Sequence, residues 1–558
     1  MSVLLKYFEE SFRDNYELPA LTDYSSGNTL TYGAFAKRIA RTHLLFEGAG
    51  IKPGDKIALL GRNTPEWVAT FMATLTYGAV IVPILNDFNP IDAQHIVNHS
   101  DAEILFVDEN IYEHMEFENM PKIQAVISLG SRAILAERNP EARQTISRAM
   151  KSVTRRFNKA YPDGFSAECI KYPDIPDSNI GIINYTSGTT GFSKGVMLTH
   201  SNLEGNVGFG IDSKLHYRGS RALSFLPLAH AYGCAFDMLV PLAVGSHVTI
   251  LGKTPTPGVL LKAFASVKPS LIICVPLILE KIYKKMIVPM ITKRPLRWVL
   301  AVPGLDRAIY GRIRSKLVEA FGGEFEEVIV GGAPLNAEVE QFLTKIKFPF
   351  TVGYGMTECG PLISYTPWRS FIPSSSGHTL PGIMTAKIGR TEGMNIDGQG
   401  EIMVRGKNVM KGYYKNPEAT EAVLEPDGWL HTGDMGYLGG ADGQTVFIRG
   451  RYKTMILTAN GQNIYPEEIE AKLNNMPYAA ESLVVDRNGH LTALVYPDMD
   501  QADAEGYRIE QIENIMANEI LPELNKLLAP YERIHRIQLV PQEFEKTPKR
   551  SIRRFLYS

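Results

Sequence analysis

Short, β-rich apolar runs recur along the chain, with helix-like stretches between many of them. Lys56–Leu60, Ala79–Leu85, Ala102–Asp108, Ile123–Leu129, Ile180–Tyr185, His247–Leu251, Ser270–Pro276 and Glu327–Val330 are the clearest. Several lack polar–apolar alternation, which predicts strands buried on both faces. Between the first two, Thr64–Tyr77 has Pro65 at a helix start and Trp67, Phe71 and Leu75 at i, i+4 and i+8. That spacing predicts an amphipathic helix. Strands alternating with helices predict an α/β protein whose sheets are mostly parallel and flanked by helices.

The best domain boundary lies near residue 450. A Gly-rich turn cluster, Gly436–Gly443, precedes it, and a new helix opens at Pro466-Glu467-Glu468 with proline and acids in its first turn. The pattern divides the chain into a large body over 1–450, built of subdomains, and a small α+β unit over 451–558. In the latter, Ser482–Asp486 and Leu491–Tyr496 read as a hairpin, and Arg508–Leu528 as one long amphipathic helix. Leu223–Gly245 is long and apolar enough to suggest a membrane span, but it contains Pro227, His230, Asp237 and Pro241. An ionisable residue in lipid is costly, so a buried, interrupted segment is the better reading.

Composition narrows the function classes. The chain has 558 residues, 44% hydrophobic and 21% charged, with Lys+Arg 58 against Asp+Glu 60 and a net charge of −2. This argues against disorder and against a protein held to nucleic acid by overall charge. The four cysteines, Cys169, Cys234, Cys274 and Cys359, are scattered without a CxxC pair, which disfavours a disulfide framework or zinc site and suits a reducing compartment. The N-terminus places Lys6, Glu9 and Glu10 where a signal peptide needs an apolar run. A cytoplasmic location is expected, with peripheral contact at the inner face of the membrane as a second reading.

The strongest chemical signal is Tyr185-Thr-Ser-Gly-Thr-Thr-Gly-Phe-Ser-Lys-Gly195, with three glycines, five Ser/Thr hydroxyls and one lysine behind a strand. Glycines admit backbone N–H groups to phosphate oxygens, hydroxyls add donors, and Lys194 supplies charge. The order is not that of a Walker A loop, because Ser193 precedes Lys194 and Gly195 follows it.

The string from Tyr185 to His200 resembles the phosphate loop of the adenylate-forming enzymes, which include acyl-CoA synthetases, peptide-synthetase adenylation domains and luciferases. Further motifs follow in that family's order. Leu226–Gly233 resembles the segment bearing the active-site histidine, here His230. Gly331-Gly332-Ala333-Pro334 resembles the adenine-flanking turn. Gly353-Tyr354-Gly355-Met356-Thr357-Glu358 resembles the segment holding adenine, α-phosphate and metal. Trp429–Asp434 resembles the ribose turn, Arg449–Lys453 the hinge, and Asn460–Glu470 the start of a mobile lid.

The resemblance implies ATP, Mg²⁺ and coenzyme A as cofactor and co-substrates. Thr186, Ser187, Gly188, Thr189, Thr190, Gly191 and Lys194 would cradle phosphates. Glu358 would bind Mg²⁺, Thr357 would touch the α-phosphate, and Tyr354 would stack on adenine. Asp434 would hold the ribose diol, with Arg451 reaching the same sugar or forming a surface ion pair. His230 would lie near the acyl carboxylate, and Lys453 would mark the hinge. One departure concerns the tail. The family's Gly-Lys-Ile-x-Arg pattern aligns its lysine with Ser551, while Lys549 stands two residues earlier. Lys549 is taken as the adenylation lysine; a solvated tail is the alternative. Thr454 likewise follows Lys453 where many members carry an acid.

Val275–Tyr283, Phe321–Leu335 and Asn460–Pro466 most resemble long-chain fatty acid–CoA ligases. The expected activity is therefore formation of a long- or medium-chain acyl-adenylate and then acyl-CoA. Val207, Phe209, Phe236, Ile272 and Ile273 are candidates to line an acyl tunnel, with plain core packing as the alternative. Lys293–Ile313 is basic and aromatic, and is read as a membrane-contacting stretch or a solvated helix. Competing functions are a fatty acyl-AMP ligase or an aryl- or amino-acid adenylating enzyme, delivering to a carrier protein in trans, and a non-catalytic nucleotide-binding protein.

Overall fold

The computed structural model describes all residues except 1, 187–192, 288–304, 390–397, 458–462, 488, 548–551 and 558. An eight-stranded sheet forms the first layer of the body. Its parallel centre consists of Ala125–Ser128, Ala102–Val107, Lys56–Leu60, Val80–Ile84 and Ile180–Thr186, in that spatial order. Every residue of Val80–Ile84 is buried, which explains its lack of alternation. Pro83 lacks an N–H, and this strand pairs along five residues with Lys56–Leu60 but only at Ile81 with Ile180–Thr186. Antiparallel edges complete the sheet: Ile134–Glu137 on one side, Lys194–Thr199 and Gly412–Tyr413 on the other.

The helix Pro65–Tyr77 forms where the spacing predicts one, but it is buried on nearly every side and is not amphipathic. Thr64 caps it by accepting from Trp67 N at 3.1 Å, and Gly78 ends it at φ +88°. Trp67, Phe71 and Leu75 are fully buried, with the two rings stacked 5.4 Å apart. Burial stabilises by about 1.5–3 kcal/mol per large apolar side chain.

Arg221–Ser224, His247–Ile250, Pro19–Asp23 and Thr29–Thr31 make a four-stranded sheet. A third sheet is wholly parallel and has Ile272–Cys274, Val328–Val330 and Phe350–Val352 in register, so Cys274, Val330 and Val352 end side by side. The seven-stranded sheet differs. Tyr354–Gly355, Leu362–Tyr365, His378–Thr379, Thr445–Arg451, Leu430–Gly439, Gln399–Gly406 and Met384–Gly389 are antiparallel throughout. One continuous apolar core runs from Leu4 to Val446.

A separate core, Ile464 to Ile534, belongs to the last hundred or so residues. There Ala479–Arg487 and His490–Pro497 form the expected hairpin, and Arg536–Leu539 joins the latter in parallel. The expected long helix is helical from Ile509 to Lys526 but widens into a π-turn at Met516–Ile520, two residues before Pro522. A proline removes one N–H and crowds the carbonyl four residues back, and a wider turn relieves both. The same device occurs at Cys234–Leu239, ahead of Pro241. Leu223–Gly245 is thus an interrupted, buried segment, and among the described residues no helix is long and apolar enough to cross a membrane.

Candidate functional site

The motif segments gather at strand ends. Gly331 and Gly353 directly follow two neighbouring strands of the parallel three-stranded sheet, and Val275 follows the third. Ligands of open parallel sheets bind beyond the carboxyl ends of the strands. Gly331 N–H donates to Cys274 O at 3.0 Å and Gly353 N–H to Val330 O at 2.9 Å, fixing both turns. Gly332, Ala333 and Pro334 are exposed. A side chain at Gly331 would meet the Tyr232 ring at 3.0 Å, so glycine there lets the 226–233 segment close against this turn.

His230 caps the helical turn Ala231–Gly233, its Nδ1 accepting from Tyr232 N at 3.2 Å. The ring is half-buried. Tyr232 donates its hydroxyl to Ile329 O at 3.1 Å, and Asn184 donates to Ala229 O at 3.0 Å. The histidine loop is therefore tied both to the strand leading into Gly331 and to the strand leading into the phosphate loop.

Tyr354 to Glu358 lies on a tight hairpin. Tyr354 pairs with Ser364, and Met356 N–H donates to Pro361 O at 2.9 Å. A Cβ on Gly355 would come within 2.3 Å of Pro361 O, so only glycine fits. Asn206, fully buried on the helix His200–Asp212, braces this turn: it donates to Cys359 O at 3.1 Å and accepts from Leu362 N at 2.9 Å. Thr357 is buried in the turn, and Glu358 is half-buried beside it. Tyr413 donates to Glu358 Oε1 at 2.9 Å, and among the described residues the carboxylate has no other side-chain partner.

Asp434 is 4% exposed and sits opposite Arg451 in the pairing of Leu430–Gly439 with Thr445–Arg451. Arg451 Nε lies 2.7 Å from Asp434 Oδ1, and Tyr354 donates its hydroxyl to Oδ2 at 2.6 Å. Burial pushes the Asp434 carboxyl up; Arg451 and the Tyr354 hydroxyl oppose that. Tyr354 thus has a role that its sequence position did not reveal, as an orienting donor to Asp434. Arg451 is the last residue of its strand, and the chain leaves the sheet through the turn Tyr452–Thr454, which carries the exposed Lys453. Thr454, which follows Lys453, donates its hydroxyl to Glu467 Oε1 at 2.6 Å, and Arg449 pairs with Glu468 at 2.6 Å.

The turn before Asp434 has its own brace. Glu401 accepts from Gly433 N at 2.8 Å and lies 2.7 Å from His431 Nδ1, while Glu425 lies 3.1 Å from Nε2. Burial lowers the His431 pKa, but the two carboxylates outweigh it and raise the value overall. The resulting stabilisation is complete below the unfolded value of about 6.5 and is lost as pH rises through the raised folded value. Thermal melts should therefore show His431→Gln flattening the decline in stability above about pH 6.5; an unaltered slope would remove His431 as its source.

The phosphate-loop motif lies between two antiparallel strands, and the helix His200–Asp212 begins where the second ends. Thr186 and Lys194 face each other across its mouth. Ser187, Gly188, Thr189, Thr190 and Gly191 lie outside the described residues, as do Lys549, Ser551, Arg294 and Arg297. The hairpin is anchored from behind: Tyr185 OH lies 2.8 Å from His99 Nδ1, and Tyr414 N donates to Gly195 O at 2.7 Å. At the tail, Lys546 bridges to Ile552, pairing the chain on either side of 548–551. Lys546 pairs with Glu481, and Arg554 with Glu470, so two cations of the basic tail are engaged by carboxylates of the same unit.

The proposed tunnel lining meets a geometric limit. All five residues are buried in the core. Ile272 and Ile273 are consecutive on one strand and project to opposite faces, and Val207 and Phe209 stand two apart on one helix. Only one of each pair can face a single tunnel, and core packing accounts for the other. Arg307 and Arg312, from the basic stretch, lie on the helix Leu305–Ala320.

An α/β body with glycine turns at neighbouring strand ends, a hydroxyl-rich hairpin loop and a buried Asp–Tyr pair met by an exposed arginine falls in the class of mononucleotide-binding folds. Residues 8–414 match the AMP-binding enzyme family, and the chain belongs to it. The long-chain-fatty-acid–CoA ligase heimdall of Drosophila melanogaster is 28% identical over 534 residues, covering 88% of this chain and 75% of that protein. The peroxisomal long chain acyl-CoA synthetase 7 of Arabidopsis thaliana is 29% identical, covering 92% and 77%. The fold is similar to that of ATP-bound MatB from Rhodopseudomonas palustris, with TM-score 0.74 at 22% identity over 99% of this chain and 98% of that one.

Proposed function

We propose that this protein is an ATP-dependent ligase that activates a long- or medium-chain fatty acid as its adenylate and then transfers the acyl group to coenzyme A. The observation that carries the reading is one short hairpin that serves two clusters. Tyr354 reaches the Asp434–Arg451 pair, and Glu358, four residues on, reaches Tyr413 beneath Lys194. One cluster suits a ribose and the other a polyphosphate. The names of the relatives support the acid and the acceptor.

In this reading Asp434 accepts from the ribose hydroxyls while Tyr354 and Arg451 hold it in place. Gly332 to Pro334 offer exposed backbone beside the base. Lys194 and the hydroxyls of 186–190 neutralise the departing pyrophosphate. The Glu358 carboxylate fits Mg²⁺, which favours one or two carboxylates plus substrate phosphates; when bound, the ion supplies charge neutralisation at the phosphates. A fatty acid carboxylate near His230 attacks the α-phosphorus, pyrophosphate leaves, and the acyl-adenylate forms. The thiol of coenzyme A then attacks the acyl carbon and AMP departs. The unit after Lys453 acts as a lid that turns between the two steps, bringing Lys549 in for the first.

Pyrophosphate exchange into ATP across a panel of acids tests the reading. Exchange with palmitate and not with amino or aryl acids is expected, followed by AMP release on adding coenzyme A. Exchange that never proceeds to a thioester would replace it with an acyl-AMP ligase serving a carrier protein. No exchange with any acid would favour a binding protein.

A further inference from the structure

We propose that Tyr413 is a positioning residue that keeps the phosphate-loop lysine and the metal-binding carboxylate apart and aimed at the same ligand. The inference rests on the nucleotide site described above. Tyr413 Oη donates to Glu358 Oε1 at 2.9 Å, and Lys194 Nζ stands 4.7 Å from the centre of the same ring. The two opposite charges therefore share one aromatic side chain, and among the described residues they form no ion pair with each other. The ring face attracts the ammonium without neutralising it. The hydroxyl occupies one carboxylate oxygen, and among the described residues no side chain bonds the other.

The backbone around Tyr413 is fixed on both sides. Gly412 and Tyr413 pair with Met197 and Val196 of the strand that begins at Lys194. Tyr414 N donates to Gly195 O at 2.7 Å, and Met410 N to Glu358 O at 2.8 Å. Tyr413 N also donates to Thr420 Oγ1 at 2.9 Å. The segment 410–414 is thus stitched to the phosphate-loop strand at one end and to the Glu358 turn at the other. Next door, Tyr414 donates to Asp101 at 2.7 Å and packs edge-on to His99, the partner of Tyr185. Tyr413 is 7% exposed, so both its ring and its hydroxyl are held inside the packed site.

Without the ring, Lys194 and Glu358 would be free to pair, and each would be less available to nucleotide. Two variants separate the two contacts. Tyr413→Phe keeps the ring face and loses the hydroxyl; Tyr413→Leu loses both. Calorimetric titration with ATP, with and without Mg²⁺, reads each arm, with Mn²⁺ binding by electron paramagnetic resonance as the second readout and thermal melts as the folding control. Tyr413→Phe is expected to bind metal-free ATP as the wild type does and to lose about tenfold of the gain that Mg²⁺ confers, the range seen when partners of metal ligands are removed. Tyr413→Leu is expected to lose metal-free affinity as well. Equal losses with and without Mg²⁺ in the Phe variant would overturn the coupling to Glu358. Wild-type titrations in both folded variants would make Tyr413 a packing residue only. If Tyr413→Leu does not fold, the Phe variant decides. Failure of the wild type itself to bind ATP would strike the proposed site, a result distinct from either.

Discussion

Asp434→Ala should remove most of the affinity for ATP while leaving a folded protein. Two ribose hydroxyls bonded to one carboxylate contribute about 1.5–3 kcal/mol each, so their loss corresponds to a drop of about 10²–10⁴-fold. The variant also strands the buried Tyr354 hydroxyl, which donates to Oδ2 at 2.6 Å, while the exposed Arg451 guanidinium, 2.7 Å from Oδ1, can turn to water. A buried donor left without an acceptor costs about 1–3 kcal/mol, so the melting temperature should fall in the same variant. Asp434→Asn separates the effects. Its amide oxygen still accepts one bond, and a smaller loss of both affinity and stability is expected. Calorimetry of ATP binding beside thermal melts checks this. Wild-type affinity in Asp434→Ala would mean that the carboxylate only orders its own turn.

The second large effect is expected at the tail. Lys549→Ala should slow single-turnover formation of acyl-adenylate by about 10²–10³-fold, the usual cost of removing one preorganised charge from a developing anion. Thioester formation from preformed acyl-adenylate should be untouched. Ser551→Ala should leave both steps unchanged, although Ser551 occupies the position where the family pattern has its lysine. Two other cations of the basic tail are already engaged, Lys546 by Glu481 and Arg554 by Glu470. Normal adenylation in Lys549→Ala would reject the assignment and turn attention to Arg550 or Arg553.

Much of the body was legible in the sequence because its elements carry strong local signals. Val80–Ile84 reads as a doubly buried strand from its unbroken apolar run, and Pro65 with Trp67, Phe71 and Leu75 marks a helix without any tertiary information, although not its burial on nearly every side. The glycine turns were legible because close backbone approach at Gly331 and Gly355 leaves no space for a side chain. The antiparallel seven-stranded sheet was not. Strands of two residues, such as Tyr354–Gly355 and His378–Thr379, are too short to show a period. Tyr413 was equally hidden. A tyrosine after a glycine announces no chemistry, and its role arises only when the strand Gly412–Tyr413 is laid beside Lys194 and Glu358. Ile272 and Ile273 show the opposite failure. Both look suited to a tunnel by composition, and the strand's alternation separates them. Asn206 carried a faint signal: a polar residue amid Leu203, Val207 and Phe209, later found bracing the Glu358 turn from a fully buried position.

The central claim is that a carboxylate oxygen of the acid attacks the α-phosphorus of ATP within this site. Palmitate labelled with ¹⁸O in both carboxylate oxygens, turned over with ATP and coenzyme A, tests it directly by mass spectrometry of the nucleotide product. One labelled oxygen should appear in AMP and none in pyrophosphate, because the bridging oxygen of the adenylate leaves with AMP when the thiol attacks. Label recovered in inorganic phosphate, with ADP as the nucleotide product, would place the attack at the γ-phosphorus and contradict the account.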